Sequence, residues 1–204
     1  MAYDPFFVGS ANDAGSVQWP GMALLKIARL GHPVLRQRAL AVAADELSSA
    51  GFQTFIDDMA ETMRDGDGVG LAATQVHVLK RVFLVEVKSP NPRYPNQPGV
   101  PLTAVINPEI REHSQEVDDD WEGCLSIPDL RGRVPRWRSL RLTGLDRTGR
   151  EIAIDATQFF ARVIQHELDH LDGIVFPDRM RDFSTLTHLR EYQVFWANTA
   201  TLGK

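Results

Sequence analysis

Apolar side chains recur at helical spacing in Phe52, Phe55, Ile56, Met59 and Met63, which predicts an amphipathic helix over residues 46–64. The run Asp65-Gly-Asp-Gly68 ends it, since these residues favour turns over continued helix. Two apolar stretches, 81–87 and 103–106, read as strands. Between them, residues 89–101 carry five prolines and one glycine and are expected to be a surface excursion. Alternation returns at 140–145 and 151–154, on either side of Asp146-Arg-Thr-Gly149, and predicts a hairpin. A second helix is expected over 157–171. Phe159, Phe160, Val163, Ile164, Leu168 and Leu171 make it apolar on most sides, so it should be buried, with Asp172-Gly173 as its stop. A last short helix is expected within 185–196. Strands joined by short turns precede the second helix instead of alternating with helices, which favours an α+β fold over a doubly wound sheet. Residues 1–21 show no periodicity and read as an extension, leaving 22–204 as one catalytic domain.

The totals narrow the function classes. A chain of 204 residues with 43% apolar and 24% charged positions is an ordinary globular protein, and no apolar run is long enough to span a bilayer. The net charge of -5 argues against a sequence-independent grip on nucleic acid. A local basic strip, Arg131, Arg133, Arg136, Arg138 and Arg141, reads as a solvated strand face, the alternative being that it meets a carboxylate or a polyanion. The single cysteine, Cys124, cannot form an internal disulfide, so no oxidising compartment is implied. The first 25 residues contain no Lys or Arg, unlike a signal or transit peptide, and a cytoplasmic location is expected.

The chemistry concentrates in Gln165-His-Glu-Leu-Asp-His-Leu-Asp-Gly173. Residues four apart share a helix face, so His166 and His170 can grip one metal ion while Glu167 handles a proton. Two histidines and a glutamate in a buried helix need a partner, because unpaired buried polar groups are costly. A third protein ligand is still required, and the thiolate of Cys124, in Glu122-Gly-Cys-Leu-Ser126, is the candidate. Asp169 should face away from the histidines, orienting a neighbour or making a structural bond. A third segment, Gly68-Val-Gly-Leu-Ala-Ala-Thr-Gln75, lacks the spacing of a phosphate loop. Its glycines instead permit close backbone approach, and Gln75 offers an amide donor and acceptor.

With segments 68–75, 122–126 and 165–170 in this order, the chain closely resembles the peptide deformylases over residues 22–182. Trp121, Phe159-Phe-Ala-Arg-Val163 and Arg131-Gly-Arg-Val-Pro135 resemble the branch that includes organellar members, although the absence of a basic leader points to a bacterial protein. The resemblance implies antiparallel sheets wrapped around a central metal-binding helix. It implies that Cys124, His166 and His170 hold one divalent ion, ferrous iron in the cell, with zinc, nickel or cobalt able to replace it. Metal-bound hydroxide would then attack the formyl group of N-formyl-Met peptides and nascent chains near the ribosome. Glu167 would serve as base and then acid, while Gln75 and the backbone N–H of Leu125 would hold the oxyanion. Gly70 would bond to a substrate lying as an added strand, with Gly123 also beside it. Val69, Val163 and Phe159 are candidate walls for the methionine side chain, Phe159 being equally suited to the core. The acidic run Asp118–Asp120 is expected to shape the substrate rim.

Two other readings remain at this stage. A zinc endopeptidase would take its third ligand downstream, at Glu191, but leaves the two upstream segments unexplained. A catalytically silent metal-binding or ribosome-associated protein would have no need of Glu167.

Overall fold

The computed structural model describes residues 23–89 and 99–197. Two helices open the fold, α1 (Ala44–Leu47) and α2 (Ala50–Asp65). The strands β1 (Gly70–Ala72), β2 (Val82–Val87), β3 (Val100–His113), β4 (Val117–Cys124), β5 (Ile127–Trp137), β6 (Ser139–Leu145) and β7 (Glu151–Thr157) follow. Helix α3 (Gln158–Leu171), the short α4 (Phe176–Arg179), strand β8 (Thr187–His188) and α5 (Leu189–Phe195) complete it. All strand pairings are antiparallel, in a five-stranded sheet ordered β1-β2-β3-β6-β7 and a three-stranded sheet ordered β4-β5-β8. The α+β expectation holds. The extension 1–21 and most of the proline-rich excursion, residues 90–98, lie outside the described residues.

Period-two alternation places the large sheet between two helices. Val82 and Leu84 of β2 join Phe52, Ile56, Met59 and Met63 of α2 in one core. Phe83 and Val85 point the other way, into a second core with Ile164, Leu168 and Leu171 of α3. A third core under the small sheet gathers Ile127, Val134, Phe176 and Met180 around Cys124. Helix α3 touches β1 and β2 on one side and β5 on the other, and every residue from Ala161 to Leu171 is buried.

Several boundaries differ from expectation for local reasons. The predicted 46–64 helix is two pieces, because Ser49 caps the second, its hydroxyl accepting from the Phe52 N–H at 3.2 Å. The 103–106 strand extends to Val100–His113, since β3 pairs with β2 along its first half and with β6 along its second. The 140–154 hairpin is present. Asp146 Oδ1 accepts from Thr148 N at 2.7 Å and Arg150 N at 3.0 Å, with Gly149 at φ 84°. Strand β4 was not anticipated, because a run of aspartates reads poorly as strand, whereas β5 carries most of the basic strip expected on a strand face. Cross-strand charge compensates, as Arg138 binds Asp118 at 2.8 Å and Arg133 approaches Asp119 at 3.6 Å. Within 185–196 the helix is confined to Leu189–Phe195.

Helix α3 stops at Gly173, whose φ of 77° is left-handed and where a Cβ would lie 2.8 Å from the Arg36 backbone. Two of its last carbonyls are met from outside, His170 O by the Thr74 hydroxyl at 3.0 Å and Leu171 O by Ala39 N at 2.8 Å. Ser49→Ala should therefore lower unfolding free energy by about 1 kcal/mol. Gly173→Ala should cost more, because it meets both strain and backbone collision. Denaturant melts of the metal-loaded protein measure both, and a neutral Gly173→Ala would contradict this account of the helix stop.

Candidate metal centre and catalytic groove

Helix periodicity stacks His166 and His170 one turn apart, with ring centroids 4.9 Å from each other. The end of β4 delivers Cys124 Sγ to 3.1 Å from His170 Nε2. One ligand atom from each of Cys124, His166 and His170 lies within 4.8 Å of the others, and all three residues are buried. Among the described residues no other group of His, Cys, Asp and Glu meets that description. The donor set fits a four-coordinate ion with three protein ligands and one open position. Glu122 Oε2 occupies His166 Nδ1 at 2.8 Å, which leaves the other ring nitrogen for an ion. Burial alone would raise the Cys124 thiol, but the two imidazoles overcome it and hold the group well below its ordinary value. A thiolate is the ligand form.

Glu122 is the hub of a buried ionic network. Arg136 donates to it through Nε at 2.8 Å and Nη2 at 3.1 Å, and Arg162 Nη1 adds a bond at 2.9 Å. Burial works against ionisation of Glu122, yet Arg136 and then His166 hold its carboxyl well below the usual range. Arg136 continues to Asp169 Oδ2 at 2.6 Å, and Arg179 closes on the same carboxylate at 2.7 Å. Asp169 thus does face away from the ligands and makes a structural bond. The basic strip needs correction, because Arg136 is buried and not part of a solvated face. Strand alternation carries the signal: on β5, position 136 shares its face with Gly132 and Val134, opposite to Arg131 and Arg133. Glu122 and Arg162 were not singled out either. Both lie beside recognised residues, but only the tertiary contact reveals what they touch.

Glu167 lies one residue from His166 and close against β1, where a Cβ on Gly70 would collide with its carboxylate. Burial pushes the Glu167 carboxyl up to about 7. Among the described residues its buried Oε2 has no hydrogen-bond partner, and neither does His170 Nδ1. Gln75 is held by its own backbone, Oε1 accepting from Ala72 N at 2.8 Å. That aims Nε2 at Ser126 Oγ, 3.2 Å away, and at Cys124 Sγ, 3.5 Å away. Leu125 packs its side chain over Gly66 and Gly68, where added Cβ atoms would each sit 2.9 Å from it.

These residues open onto a groove of about 600 Å³. Val69, Gly70, Gln75, Gly123, Cys124, Leu125, Phe159, Val163, His166 and Glu167 all line it, and His170, the one expected site residue that does not, is held beside Cys124 in the donor cluster. Phe159 belongs to both readings, lining the groove while packing on the second core. The acidic run Asp118–Asp120 does not line this groove. Asp118 is held by Arg138, Asp119 lies by Arg133, and Asp120 Oδ1 accepts from Trp121 N at 2.8 Å. The aspartates at the groove are instead Asp65, Asp67 and Asp129. Glu191 is exposed on α5 and outside the ligand group, which removes the structural basis for the endopeptidase reading.

Comparison with known proteins agrees with this geometry. The family model described as Polypeptide deformylase matches residues 24–185. Peptide deformylase 2 of Nostoc sp. is 45% identical over 171 residues, covering 83% of this chain and 93% of the relative. Peptide deformylase 1 of Bordetella pertussis is 45% identical over 78% of this chain and 88% of its own length. Among solved structures, the class I type b peptide deformylase from Acinetobacter baumannii with Met-Ala-Ser bound superposes with a TM-score of 0.76 at 41% identity. That match covers 78% of this chain and 100% of the other. The peptide deformylase from Thermotoga maritima gives 0.68 at 35% identity, covering 78% and 99%. The matched span contains the Cys124–His166–His170 cluster, Glu167 and Gln75, and the chain therefore belongs to the polypeptide deformylase family, metal-dependent hydrolases acting on N-formyl-Met peptides.

Proposed function

We propose that Cys124, His166 and His170 hold the single metal ion, that Glu167 carries the proton, and that Gln75 with the Leu125 N–H receives the oxyanion. The observation that carries this reading is the convergence of three chain segments on one buried donor set, with an unpartnered Glu167 oxygen at the head of a groove. When bound, a divalent ion supplies a Lewis acid that activates water at neutral pH and polarises the formyl oxygen. Glu167 takes a proton from the attacking water and delivers one to the leaving nitrogen as the C–N bond breaks, leaving formate and a free amine. Gln75 Nε2 gives a hydrogen bond that strengthens as charge grows on the formyl oxygen, a type of contact worth roughly 2.7–4 kcal/mol in the transition state. The Glu122 carboxylate orients His166, and the arginines around it keep that carboxylate ionised.

Substrate reading follows from the groove. Among the described residues strand β1 is the edge of its sheet, paired only with β2, so Gly70 has main-chain groups for an added strand. Gly123 borders the same channel, and Val69, Val163 and Phe159 give apolar walls suited to methionine. Ferrous iron is our choice for the ion in the cell, since a thiolate with two imidazoles suits it, and zinc, nickel or cobalt can replace it. The substrate reading sets the enzyme, one catalytic domain from residue 22 onward, in the cytoplasm near the ribosome, where formyl-Met chains emerge. No helix among the described residues is long and apolar enough to cross a membrane. Direct binding of nucleic acid is not expected of a chain with net charge -5.

Glu167→Gln should keep the metal yet lose at least about a thousandfold in kcat, consistent with loss of acid–base catalysis. Cys124→Ala should lose metal and activity together. Elemental analysis beside a formyl-Met-Ala assay separates the two, and a metal-replete, active Cys124→Ala would overturn the ligand set. Free formyl-Met should be turned over at least about tenfold less efficiently than formyl-Met-Ala, because a single amino acid cannot complete the backbone pairing. Equal kcat/KM values would rule out strand addition. The iron form should lose activity in air or peroxide faster than the nickel or cobalt form. Equal decay rates would place the weakness at Cys124 or in unfolding.

A further inference from the structure

A second cleft, of about 740 Å³, opens on another face of helix α3 and shares no lining residue with the catalytic groove. Gln165, Leu168, Asp169 and Asp172 follow one another at helical spacing and form its floor, turned away from Glu167. The two sheets supply apolar walls, Pro108 and Ile110 from β3, Val117 from β4, and Pro135 from β5. Pro108 lies where β3 changes partner from β2 to β6 and the strand register shifts, which leaves room beside it. The end of α4 and the residues after it close the far side with Arg179, Met180 and Arg181.

The polar groups of this cleft are unbalanced in one direction. Every carboxylate that lines it is already engaged by arginine. Asp169 holds Arg136 and Arg179, Asp172 holds Arg81 at 2.7 Å, Asp178 holds Arg36, and Glu109 holds Arg111 at 2.8 Å. Donors are left over. Arg179 commits Nε and Nη2 to Asp169, and its Nη1 has no acceptor among the described residues. Arg181 has neither a hydrogen bond nor an ion pair among them. Unused guanidinium donors with no unused carboxylate call for a ligand that accepts, and arginine's planar fork matches an oxyanion. The apolar walls call for hydrocarbon, and the volume falls within the roughly 300–1,000 Å³ of small-molecule sites.

We propose that this cleft is a second ligand site that takes a small amphiphilic carboxylate, its hydrocarbon against Pro108, Ile110, Val117 and Pro135 and its head on Arg181 and Arg179. The inference goes beyond the deformylase reading and does not use it. The floor pair, Asp169 with Arg136, is the one that also holds Glu122, so the ligand would lie on the far side of the network that orients His166.

The test is calorimetric titration of the full-length, metal-loaded protein with octanoate, octanamide, acetate and inorganic phosphate. Octanoate should bind at least about tenfold more tightly than octanamide, which lacks the charge for the arginine contacts. It should exceed acetate and phosphate by at least about tenfold, since neither brings hydrocarbon to the walls. Arg181 and Val117 are both exposed, so their substitution leaves the cores intact. Arg181→Ala should weaken octanoate at least about tenfold, with Arg181→Lys in between, because it keeps the charge without the fork. Val117→Glu should weaken it at least about fivefold by placing a like charge on the wall. Octanoate affinity unchanged in both Arg181→Ala and Val117→Glu would overturn the site, as would octanamide or phosphate binding as tightly as octanoate. Octanoate should also leave KM for formyl-Met-Ala within about twofold, since the cleft is separate from the groove. A rise in KM that persists in Arg181→Ala would place octanoate in the groove and overturn the proposal. Failure to release formate from formyl-Met-Ala at all would sink the deformylase reading and leave the calorimetric result standing.

Discussion

Helix α3 carries Arg162, His166, Glu167, Asp169 and His170 into the interior, and the rest of the molecule is arranged around making that tolerable. An ionised side chain taken out of water without a partner costs several kcal/mol, so Arg162, His166 and Asp169 are each answered from another element, while a Glu167 oxygen is left for the groove. Strand β4 supplies Glu122 to His166 and Arg162, β5 supplies Arg136 to Glu122 and Asp169, and Arg179 at the end of α4 closes the chain of contacts. Such networks seldom add net stability compared with well-packed apolar residues. Their effect here is positional. They fix the rotation of α3 between the two sheets, and that rotation decides where His166 and His170 point.

The same constraint explains the close approach at the groove. With α3 pinned from behind, Glu167 is pressed towards β1, and only a residue without a Cβ leaves room for its carboxylate at position 70. Gly70 therefore does two things at once, admitting the Glu167 carboxylate and leaving bare backbone at a sheet edge. Gly66 and Gly68 make similar space for the side chain of Leu125, next to Cys124. The apolar cores on either side of the large sheet hold these backbones in register, so packing remote from the metal controls distances at it.

Much was legible in the sequence where the signal is local. The histidine pair is a matter of helical period, and Cys124 is the only thiol available. The core face of α2 and the hairpin at 146–149 also follow from spacing and turn chemistry. What failed was the reading of charge. Arg136 looked like its neighbours Arg131 and Arg133, and Asp118–Asp120 looked like a substrate rim. Composition treats a charged residue as solvated until a partner is known, and these partners lie on other strands.

The sequence alone determined the ligand types, the α+β pattern and the family resemblance, because each depends on residue identity at short spacing. The tertiary structure alone decided which carboxylate steers His166, which arginine is buried, and that a helix beyond the family match walls the groove. Those outcomes depend on contacts between residues 14 to 71 positions apart, such as Glu122 with Arg136 and with His166, and Trp121 with Tyr192. A buried charge has to find its counter-charge wherever folding brings one, and no local pattern records where that is.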